Sequence, residues 1–283
     1  MIKEENILGI IGHPIKHSIS PAIHSVAINH WDLPLEYKKW DLLPEQLEGF
    51  IETIKSKKTT GINVTVPYKT TIMHYLDHID PWANTAGAIN TIRKKDDKLI
   101  GYNTDGIGFM ESLEKDFQLD INNKNIMVCG AGGSAKAITL SLTNKKVNLI
   151  GFCSRNLKKT EYLLNICKQK KIKTMWIPLN NNQTGQELNN FDLIINCTPV
   201  GMKNTALEKE TLFNKNHFTN KQFVFDLVYN PLKTELLKQA EKAGALTCDG
   251  LGMLVRQAAH SFKIWTGKDA PINKMMTKAR TIL

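Results

Sequence analysis

The chain has 283 residues, which is enough for one large domain or two of ordinary size. Hydrophobic residues make up 42% of the sequence and charged residues 23%, a balance that excludes a disordered chain. The net charge of +10 comes from scattered lysines without a run of five basic residues. We therefore expect no nucleic-acid partner, but a bias toward anionic small molecules.

The cysteines and the apolar runs indicate a reducing environment away from membranes. The five cysteines are odd in number and include no C-x-x-C pair, which predicts reduced, buried thiols rather than disulfides. No set of His, Cys and Asp has metal-ligand spacing, so we expect no metal. The first residues do not suit a signal peptide, and no run of 18 apolar residues occurs. These observations predict a cytoplasmic protein without membrane contact.

Strand-like and helix-like segments alternate along the first half of the chain. The predicted elements are a strand at 7–11, a helix with Ser20 as its N-cap, a strand at 35–42, a helix at 47–54 and a strand at 62–66. Two further strand-like segments, 88–92 and 99–102, flank a polar stretch typical of a hairpin tip. This arrangement predicts some antiparallel pairing.

The second half follows a polar connection at 118–125 and alternates more regularly. Strands are predicted at 126–129, 147–152, 193–197, 223–228 and 246–248, and helices to about 142, at 160–170 and at 234–243. The pattern is typical of a parallel sheet covered by helices. We predict a two-domain α/β fold, with a mixed α/β substrate domain (1–105 plus 250–283) and a Rossmann-type dinucleotide-binding domain (106–249). The last helix is expected to return to the first domain.

The segment I-M-V-C-G-A-G-G-S-A-K-A at 126–137 carries the clearest chemical signal. A strand runs into Gly130-x-Gly132-x-x-Ala135 and then directly into a helix. In a dinucleotide-binding turn, the first glycine allows the tight turn and the second lets a pyrophosphate approach the backbone. The small third residue lets helix and strand pack closely, and the helix N-terminus faces the phosphates. The alternative is a structural glycine turn without a ligand.

The next predicted strand ends where the adenosine ribose of such a ligand lies. A fold tuned for NAD has a carboxylate there, whereas this chain has Ser154, Arg155 and Asn156 and no carboxylate before Glu161. An arginine pairs with a 2′-phosphate through two N–H bonds, and a carboxylate repels it. The residues therefore favour NADP over NAD, with a solvated arginine as the alternative.

The segment N-V-T-V-P-Y-K at 63–69 ends an apolar strand with a lysine. Lys69 is either a solvated lysine that opens the next helix or a positioned ammonium with polar neighbours. Asn90 and Asp105 each follow another strand-like segment, so the three side chains converge if their strands are neighbours in one sheet. A lysine–aspartate pair in a cleft exchanges protons with a hydroxyl or a carbonyl group.

The segment H-P-I-K-H-S-I-S-P at 13–21 places Ser18 and Ser20 at the start of a predicted helix. Helix N-termini present free amide groups and the positive end of the helix dipole. This position suits a carboxylate.

Together these segments resemble the shikimate dehydrogenase family, including its shikimate/quinate dehydrogenase branch. The resemblance spans nearly the whole chain. The matching segments are P-I-x-H-S-x-S-P at 14–21, N-V-T-V-P-Y-K at 63–69, A-G-A-I-N-T at 86–91, G-Y-N-T-D-G at 101–106, G-A-G-G-S at 130–134, N-C-T-P-V-G-M at 196–202, D-L-V-Y-N-P at 226–231 and D-G-L-G-M-L-V-x-Q-A at 249–258.

The resemblance implies a role for each matched residue. Lys69 and Asp105 would be the catalytic pair, and Ser18 and Ser20 would take the substrate carboxylate. The residues implied to hold the ring hydroxyls are Thr65, Asn90, Tyr229 and Gln257. The residues implied to line the coenzyme are Gly130, Ala131, Gly132, Gly133, Ser134, Ala135, Ser154, Arg155, Asn156, Thr198, Leu227, Gly250 and Met253. Ser154 stands where many members have Asn, and Asn156 where many have Thr, which leaves the balance between NADP and NAD open.

The implied activity is NADPH-dependent reduction of 3-dehydroshikimate to shikimate, a step in aromatic amino acid biosynthesis. The implied partners are small molecules only, and the protein is expected to be a monomer or a homodimer. One alternative is an NAD-linked quinate or shikimate dehydrogenase. Another is a non-catalytic NADP-binding sensor, which an intact Lys69 and Asp105 argue against.

Overall fold

The computed structural model describes residues 6–56, 58–179 and 184–283. The chain divides into two compact units, one formed by Met1–Gly108 with Val255–Ile282 and the other by Phe109–Leu254. The sequence pattern predicts these divisions at 105/106 and 249/250. In the structure the divisions lie a few residues later, after Gly108 and after Leu254. Each lies inside a helix, the first within Asp105–Lys115 and the second within Leu251–Thr266. The assignment of substrate and coenzyme to the two units stays a prediction at this point.

The first unit contains a six-stranded mixed sheet. Its strands are Asn6–Gly12 (β1), Leu35–Asp41 (β2), Thr59–Val64 (β3), His78–Ile79 (β4), Thr91–Lys95 (β5) and Lys98–Tyr102 (β6). Their order across the sheet is β2-β1-β3-β5-β6-β4. β1 pairs in parallel with β2 and β3, whereas β5 runs antiparallel to β3 and β6.

The second unit contains a six-stranded sheet in which all paired strands are parallel. Its strands are Asn125–Cys129 (β7), Leu149–Ser154 (β8), Lys173–Pro178 (β9), Leu193–Asn196 (β10), Phe223–Asp226 (β11) and Leu246–Cys248 (β12). Their order is β12-β11-β10-β7-β8-β9. The chain moves outward from β7 to β9 and resumes on the other side of β7, so the order reverses between β7 and β10. This is the topology of dinucleotide-binding folds, and it confirms the predicted fold class.

Helices cover both sheets. In chain order they are Ser20–His30 (α1), Leu47–Ser56 (α2), Pro81–Ala86 (α3), Asp105–Lys115 (α4), Gly133–Leu142 (α5), Leu157–Gln169 (α6), Thr184–Glu187 (α7), Glu235–Lys242 (α8), Leu251–Thr266 (α9) and Ile272–Ile282 (α10). Most of α9 and all of α10 belong to the first unit, and α10 packs against α1 there, as the sequence predicts for the end of the chain. In the described part of the chain, no helix has the length and apolar character needed to cross a membrane.

The central strand β7 illustrates why the second sheet is buried on both faces. Ile126, Met127, Val128 and Cys129 are all fully buried. Ile126 and Val128 join the hydrophobic core on one face of the sheet, and Met127 and Cys129 join the core on the other. A strand between two helical layers therefore appears in the sequence as a continuous apolar run.

Several predictions about single elements need correction. β5 begins at Thr91 rather than at residue 88, because the preceding residues leave α3 through left-handed Gly87 (φ 63°). The N-cap of α1 is Ile19, and Ser20 is the first helical residue. The edge strand β9 was missed, because its mixed polar and apolar residues and terminal Pro178 lack the apolar run of a central strand.

Candidate active site

Lys69 and Asp105 form a largely buried ion pair in the first unit. Lys69 lies in the turn after β3, and Asp105 is the first residue of α4. The Lys69 Nζ atom lies 2.5 Å from the Asp105 Oδ2 atom, and the two side chains are only 14% and 4% exposed. Charges attract more strongly away from water, so the carboxylate fixes the position of the ammonium group. The arrangement supplies a positioned proton donor.

Asn90 orients the other oxygen of Asp105. Its Nδ2 atom donates to Asp105 Oδ1 at 2.8 Å. The Asn90 Oδ1 atom accepts the backbone N–H of Thr104 at 2.8 Å and the Thr91 hydroxyl at 2.9 Å. Because a backbone N–H only donates, the amide oxygen must face Thr104, and the NH₂ group must therefore face the carboxylate.

Gln257 of α9 joins this group. Its Oε1 atom accepts from Asn90 Nδ2 at 3.1 Å, and its backbone oxygen accepts from the Thr104 hydroxyl at 3.0 Å. A side chain at Gly108 would meet the Gln257 backbone nitrogen at 2.8 Å, so α4 begins in close contact with α9. The predicted residues Lys69, Asp105, Asn90 and Gln257 thus form one hydrogen-bonded cluster.

The two predicted carboxylate ligands also lie together. The Ser18 hydroxyl donates to the Ser20 hydroxyl at 3.2 Å, and Ser20 is 5% exposed. The Ser20 hydroxyl lies beside Tyr37, where burial raises the pKa of the phenol well above its ordinary value and Ser20 offsets part of that rise. Tyr37 donates in turn to Asn63 Oδ1 at 2.7 Å.

A buried polar network that the sequence pattern does not reveal connects these serines to the Lys69–Asp105 cluster. Asn63 Nδ2 donates to the Asn90 backbone oxygen and to the Ser261 hydroxyl, each at 3.1 Å. The Ser261 hydroxyl also lies 2.7 Å from that of Thr91 and 3.1 Å from that of Thr104. The one available signal was spacing, since Ser261 lies one helical turn after Gln257 and therefore on the same face of α9.

Two predicted substrate ligands lie outside this network. Thr65 is half-buried after β3, and its methyl group is the nearest neighbour of a side chain built at Gly12. Tyr229 belongs to the second unit, where it follows β11.

In the second unit, the glycine turn has the geometry that a dinucleotide needs. Gly130 has φ +105°, and a side chain there would meet Thr198 Cγ2 at 3.1 Å. Gly132 is the N-cap of α5, without a side-chain cap, and a Cβ atom at Gly132 would meet nothing within 4 Å. The backbone is thus bare at the helix N-terminus, where a pyrophosphate binds. Ala135 is fully buried and allows the predicted close packing of α5.

The other predicted coenzyme residues gather at the carboxyl edge of the parallel sheet. Thr198 follows β10 beside Gly130, across the switch point. A side chain at Gly250, after β12, would meet the Leu227 backbone oxygen at 2.1 Å. Met253 is buried in the core of the second unit. Ala131 lies in the turn, and Gly133 and Ser134 are the first two residues of α5.

Ser154, Arg155 and Asn156 differ in what they offer a ligand. The Ser154 hydroxyl is buried, lies 2.6 Å from the Thr160 hydroxyl and accepts from Trp176 Nε1 at 3.0 Å. The hydroxyl is thus engaged within the protein, where it orders the end of β8. Arg155 and Asn156 are exposed, and no described carboxylate lies within ion-pair distance of Arg155. Within the described ranges, no group of three His, Cys, Asp or Glu side chains could hold a metal ion.

Family models match most of the chain. They are the shikimate dehydrogenase substrate binding domain at residues 10–92, shikimate/quinate 5-dehydrogenase at residues 111–251 and the shikimate 5′-dehydrogenase C-terminal domain at residues 250–280. The shikimate dehydrogenase (NADP+) of Methanocaldococcus jannaschii is 41% identical over 269 residues, which cover 95% of this chain and 94% of that relative.

Solved structures give the same result. A crystal structure of shikimate dehydrogenase in complex with NADP+ is 39% identical, with a TM-score of 0.90 and coverage of 98% of this chain and 96% of that one. Shikimate 5-dehydrogenase from Listeria monocytogenes, in complex with shikimate and NAD, is 33% identical, with a TM-score of 0.87 and coverage of 98% and 97%. These matches confirm the resemblance predicted from the sequence motifs, and the chain belongs to the shikimate dehydrogenase family.

Proposed function

We propose that the chain catalyses the NADPH-dependent reduction of 3-dehydroshikimate to shikimate, in the shikimate pathway. The observation that carries the proposal is the buried Lys69–Asp105 pair, held by Asn90, in a chain that also has an open glycine turn on a dinucleotide-binding sheet. The curated relatives with this coverage are named shikimate dehydrogenase (NADP+), which supports the same activity.

Lys69 donates the proton in this scheme. As hydride reaches the ring carbonyl, negative charge develops on its oxygen, and the Lys69 ammonium supplies a proton to that oxygen. Asp105 keeps the amine in place through its Oδ2 atom, and Asn90 keeps Asp105 in place through Oδ1. The same Asp105 and Lys69 side chains orient the substrate hydroxyl next to the reacting carbon.

The remaining first-unit residues hold the substrate. Ser18 and Ser20, in mutual contact at the start of α1, bind the carboxylate. The ring hydroxyls are bound by Thr65, Asn90 and Gln257.

The second unit binds the coenzyme, which supplies the hydride when bound. The amide groups at the start of α5 and the bare backbone at Gly132 receive the pyrophosphate, and exposed Arg155 receives the 2′-phosphate. Thr198, Leu227 and Gly250 line the crevice at the carboxyl edge. The enzyme works in the cytoplasm on small molecules alone, as a monomer or a homodimer.

An NAD-linked shikimate or quinate dehydrogenase is the second candidate. It is favoured by one observation, the relative from Listeria monocytogenes that was solved with shikimate and NAD. Arg155, which is exposed and has no described carboxylate within ion-pair distance, favours NADP instead.

Steady-state rates of the purified protein, measured with NADPH or NADH against 3-dehydroshikimate and with NADP+ or NAD+ against shikimate and quinate, test both candidates. We expect turnover with NADPH and 3-dehydroshikimate that exceeds every NAD(H) combination. Faster oxidation of quinate with NAD+ would favour the second candidate, and absence of all turnover would refute both.

A further inference from the structure

Asp226 is a fully buried carboxylate at the carboxyl end of β11. The catalytic scheme makes no use of it. A buried carboxylate is costly unless it is well hydrogen-bonded, so its partners indicate what it holds.

Three donors converge on the Asp226 carboxylate. Asn196 Nδ2 donates to Oδ1 at 2.9 Å, and the backbone N–H of Val228 donates to the same oxygen at 3.0 Å. The Thr234 hydroxyl donates to Oδ2 at 2.7 Å. These donors come from the end of β10, from the loop after β11 and from the N-cap of α8, respectively.

Two of the three donors sit at the base of loops that the proposed function uses. Asn196 Oδ1 accepts both the backbone N–H of Thr198 at 2.9 Å and its hydroxyl at 2.7 Å, which fixes the loop after β10. The bond to Val228 fixes the loop after β11, whose residues Leu227 and Tyr229 flank it in sequence. One carboxylate thus ties together two loops on one side of the switch point.

We infer that Asp226 is a positioning residue, which holds the loops after β10 and β11 in the conformation that binds the nicotinamide coenzyme and makes coenzyme affinity depend on its own charge. This inference rests on the proposed function, because it assigns these loops to the coenzyme.

The charge dependence follows from the strength of these bonds. An ionised carboxylate accepts all three as charge-assisted bonds, whereas a protonated one accepts weaker, neutral bonds at Oδ1 and turns its own O–H toward the Thr234 hydroxyl. Burial raises the pKa of Asp226 from 3.8 to about 6, although the bonds from Thr234, Val228 and Asn196 oppose the rise. The ionised form of Asp226 therefore prevails only above about pH 6. Its hydrogen bonds to the two loops are strongest in that range.

In the described part of the chain, Asp249 acts on this carboxylate, and the carboxylate in turn acts on Cys129. Asp249, after β12, raises the pKa of Asp226 further. Cys129, at the end of β7, has its own pKa raised well above the ordinary value by its hydrogen bond with Cys153 and by burial, and it stays a neutral thiol. Its hydrogen-bond partners from β10 and from the N-cap of α8, Asn196 and Thr234, are uncharged.

Dissociation constants for NADPH and NADH, measured by fluorescence titration without substrate between pH 5 and pH 8, test the inference on wild type, Asp226→Asn and Asp226→Ala. Charge-assisted bonds are about twice as strong as neutral ones, so Asp226→Asn should weaken coenzyme binding at pH 8 roughly five- to tenfold. Asp226→Ala removes the acceptor of all three donors and should weaken coenzyme binding more. Wild-type affinity for NADH, which has no 2′-phosphate to titrate, should fall below about pH 6, whereas that of Asp226→Asn should not.

Asp192→Asn is the matched control. Asp192 also accepts a backbone N–H, that of Asn125 at 2.8 Å, but it precedes β10 at the opposite edge of the same sheet. The Asp192→Asn variant should bind NADPH and NADH with wild-type affinity. If Asp226→Ala does not fold, Thr234→Val removes one donor and should give a smaller loss of the same kind.

The outcomes separate this inference from the proposed function. A wild-type protein that binds neither coenzyme refutes the proposed function, and the inference with it. A wild type that binds NADPH while folded Asp226→Asn binds it equally well, with the same pH dependence, refutes the inference alone.

Discussion

At the scale of single residues, the side chains of the candidate site are held in one position by their hydrogen-bond and ion-pair partners. Lys69 is only 14% exposed and contacts Asp105, whose second oxygen contacts Asn90. The sequence predicted this convergence, because polar residues at the ends of neighbouring strands meet at one edge of a sheet. It could not predict Tyr37, Asn63 and Ser261, because their connection depends on how β2, β3 and α9 pack.

Lys69→Ala should lose most of kcat, while its affinity for shikimate stays within severalfold of the wild-type value. Positioned proton transfer typically contributes ~10²- to 10⁴-fold to the rate, so the loss should lie in that range. Lys98→Ala, at the exposed tip of the β5–β6 hairpin, is the control and should keep wild-type kinetics. Steady-state rates and a shikimate titration of each variant measure the effect. Near-normal turnover of Lys69→Ala would remove the lysine from the mechanism.

His24 is a fully buried histidine on α1 that should make the protein acid-sensitive. Its ring stacks on Tyr37 at a centroid distance of 4.4 Å, and neither ring nitrogen has a hydrogen-bond partner among the described residues. Burial lowers the pKa of His24 to about 3, and the nearby Asn63 amide opposes this only in part. The unfolded chain therefore takes up the proton first, and stability present above pH 6.5 is lost as the pH falls toward 3.

Replacement of His24 by Phe should remove that acid sensitivity. When the pH falls from 8 to 5, His24 should lower the free energy of unfolding of the wild type by about 2 kcal/mol. The His24→Phe variant should not show this loss. At pH 8 the variant should be at least as stable, because the replaced nitrogens have no partners to lose. Urea unfolding at both pH values measures the difference. His30→Phe, at the exposed end of the same helix, is the control, and an equal pH response of wild type and His24→Phe would contradict this account.

At the scale of elements, the sequence predicted those with a clear period or a fixed turn chemistry. The apolar run of β7 and the glycines after it predicted strand, turn and helix correctly. The edge strand β9 and the glycine-containing start of α4 gave no such signal, because edge position and tertiary contacts rather than local pattern stabilise them. The antiparallel hairpin was predicted from its polar tip, where Asp96 and Asp97 adopt φ of 50° and 57°.

Substitution of Gly132 in the β7–α5 turn should weaken coenzyme binding without changing the stability of the fold. Gly132→Ala places a methyl group in open space at an ordinary φ of −83°, so folding should be unaffected. The methyl group then occupies the place of the pyrophosphate, and an overpacked contact of about 1–3 kcal/mol should weaken NADPH binding roughly ten- to a hundredfold. Coenzyme titration and urea unfolding of the variant measure the two effects.

Gly130→Ala and Gly49→Ala are the comparison variants for Gly132→Ala. Gly130→Ala is strained by its φ of +105° and meets Thr198, so it should lose about 1–3 kcal/mol of stability. Gly49, in α2 of the first unit, also has nothing within 4 Å and should leave NADPH binding unchanged when replaced by Ala. Wild-type affinity in Gly132→Ala would mean that the coenzyme does not approach this turn.

At the scale of the whole molecule, the surplus of positive charge acts on ligands rather than on the fold. The net charge is +10, and its lysines are spread along the sequence, so only a few basic groups act on any one anion. At the end of β8 those groups are Arg155, Lys158 and Lys159, all of them exposed. Short-range hydrogen bonds from Arg155 should therefore decide which coenzyme is chosen, and the surrounding field should only modulate that choice.

Arg155→Ala should raise the KM for NADPH far more than the KM for NADH. The planar guanidinium forms two charged hydrogen bonds with a 2′-phosphate, worth ~1.5–3 kcal/mol, or roughly ten- to a hundredfold in preference. Lys158→Ala is the control, since a screened point charge without fixed geometry should change the preference much less. Added salt should narrow the wild-type preference for the same reason. If NADH serves the wild type as well as NADPH does, Arg155 is only the solvated end of a strand, and the NAD-linked activity becomes the better explanation.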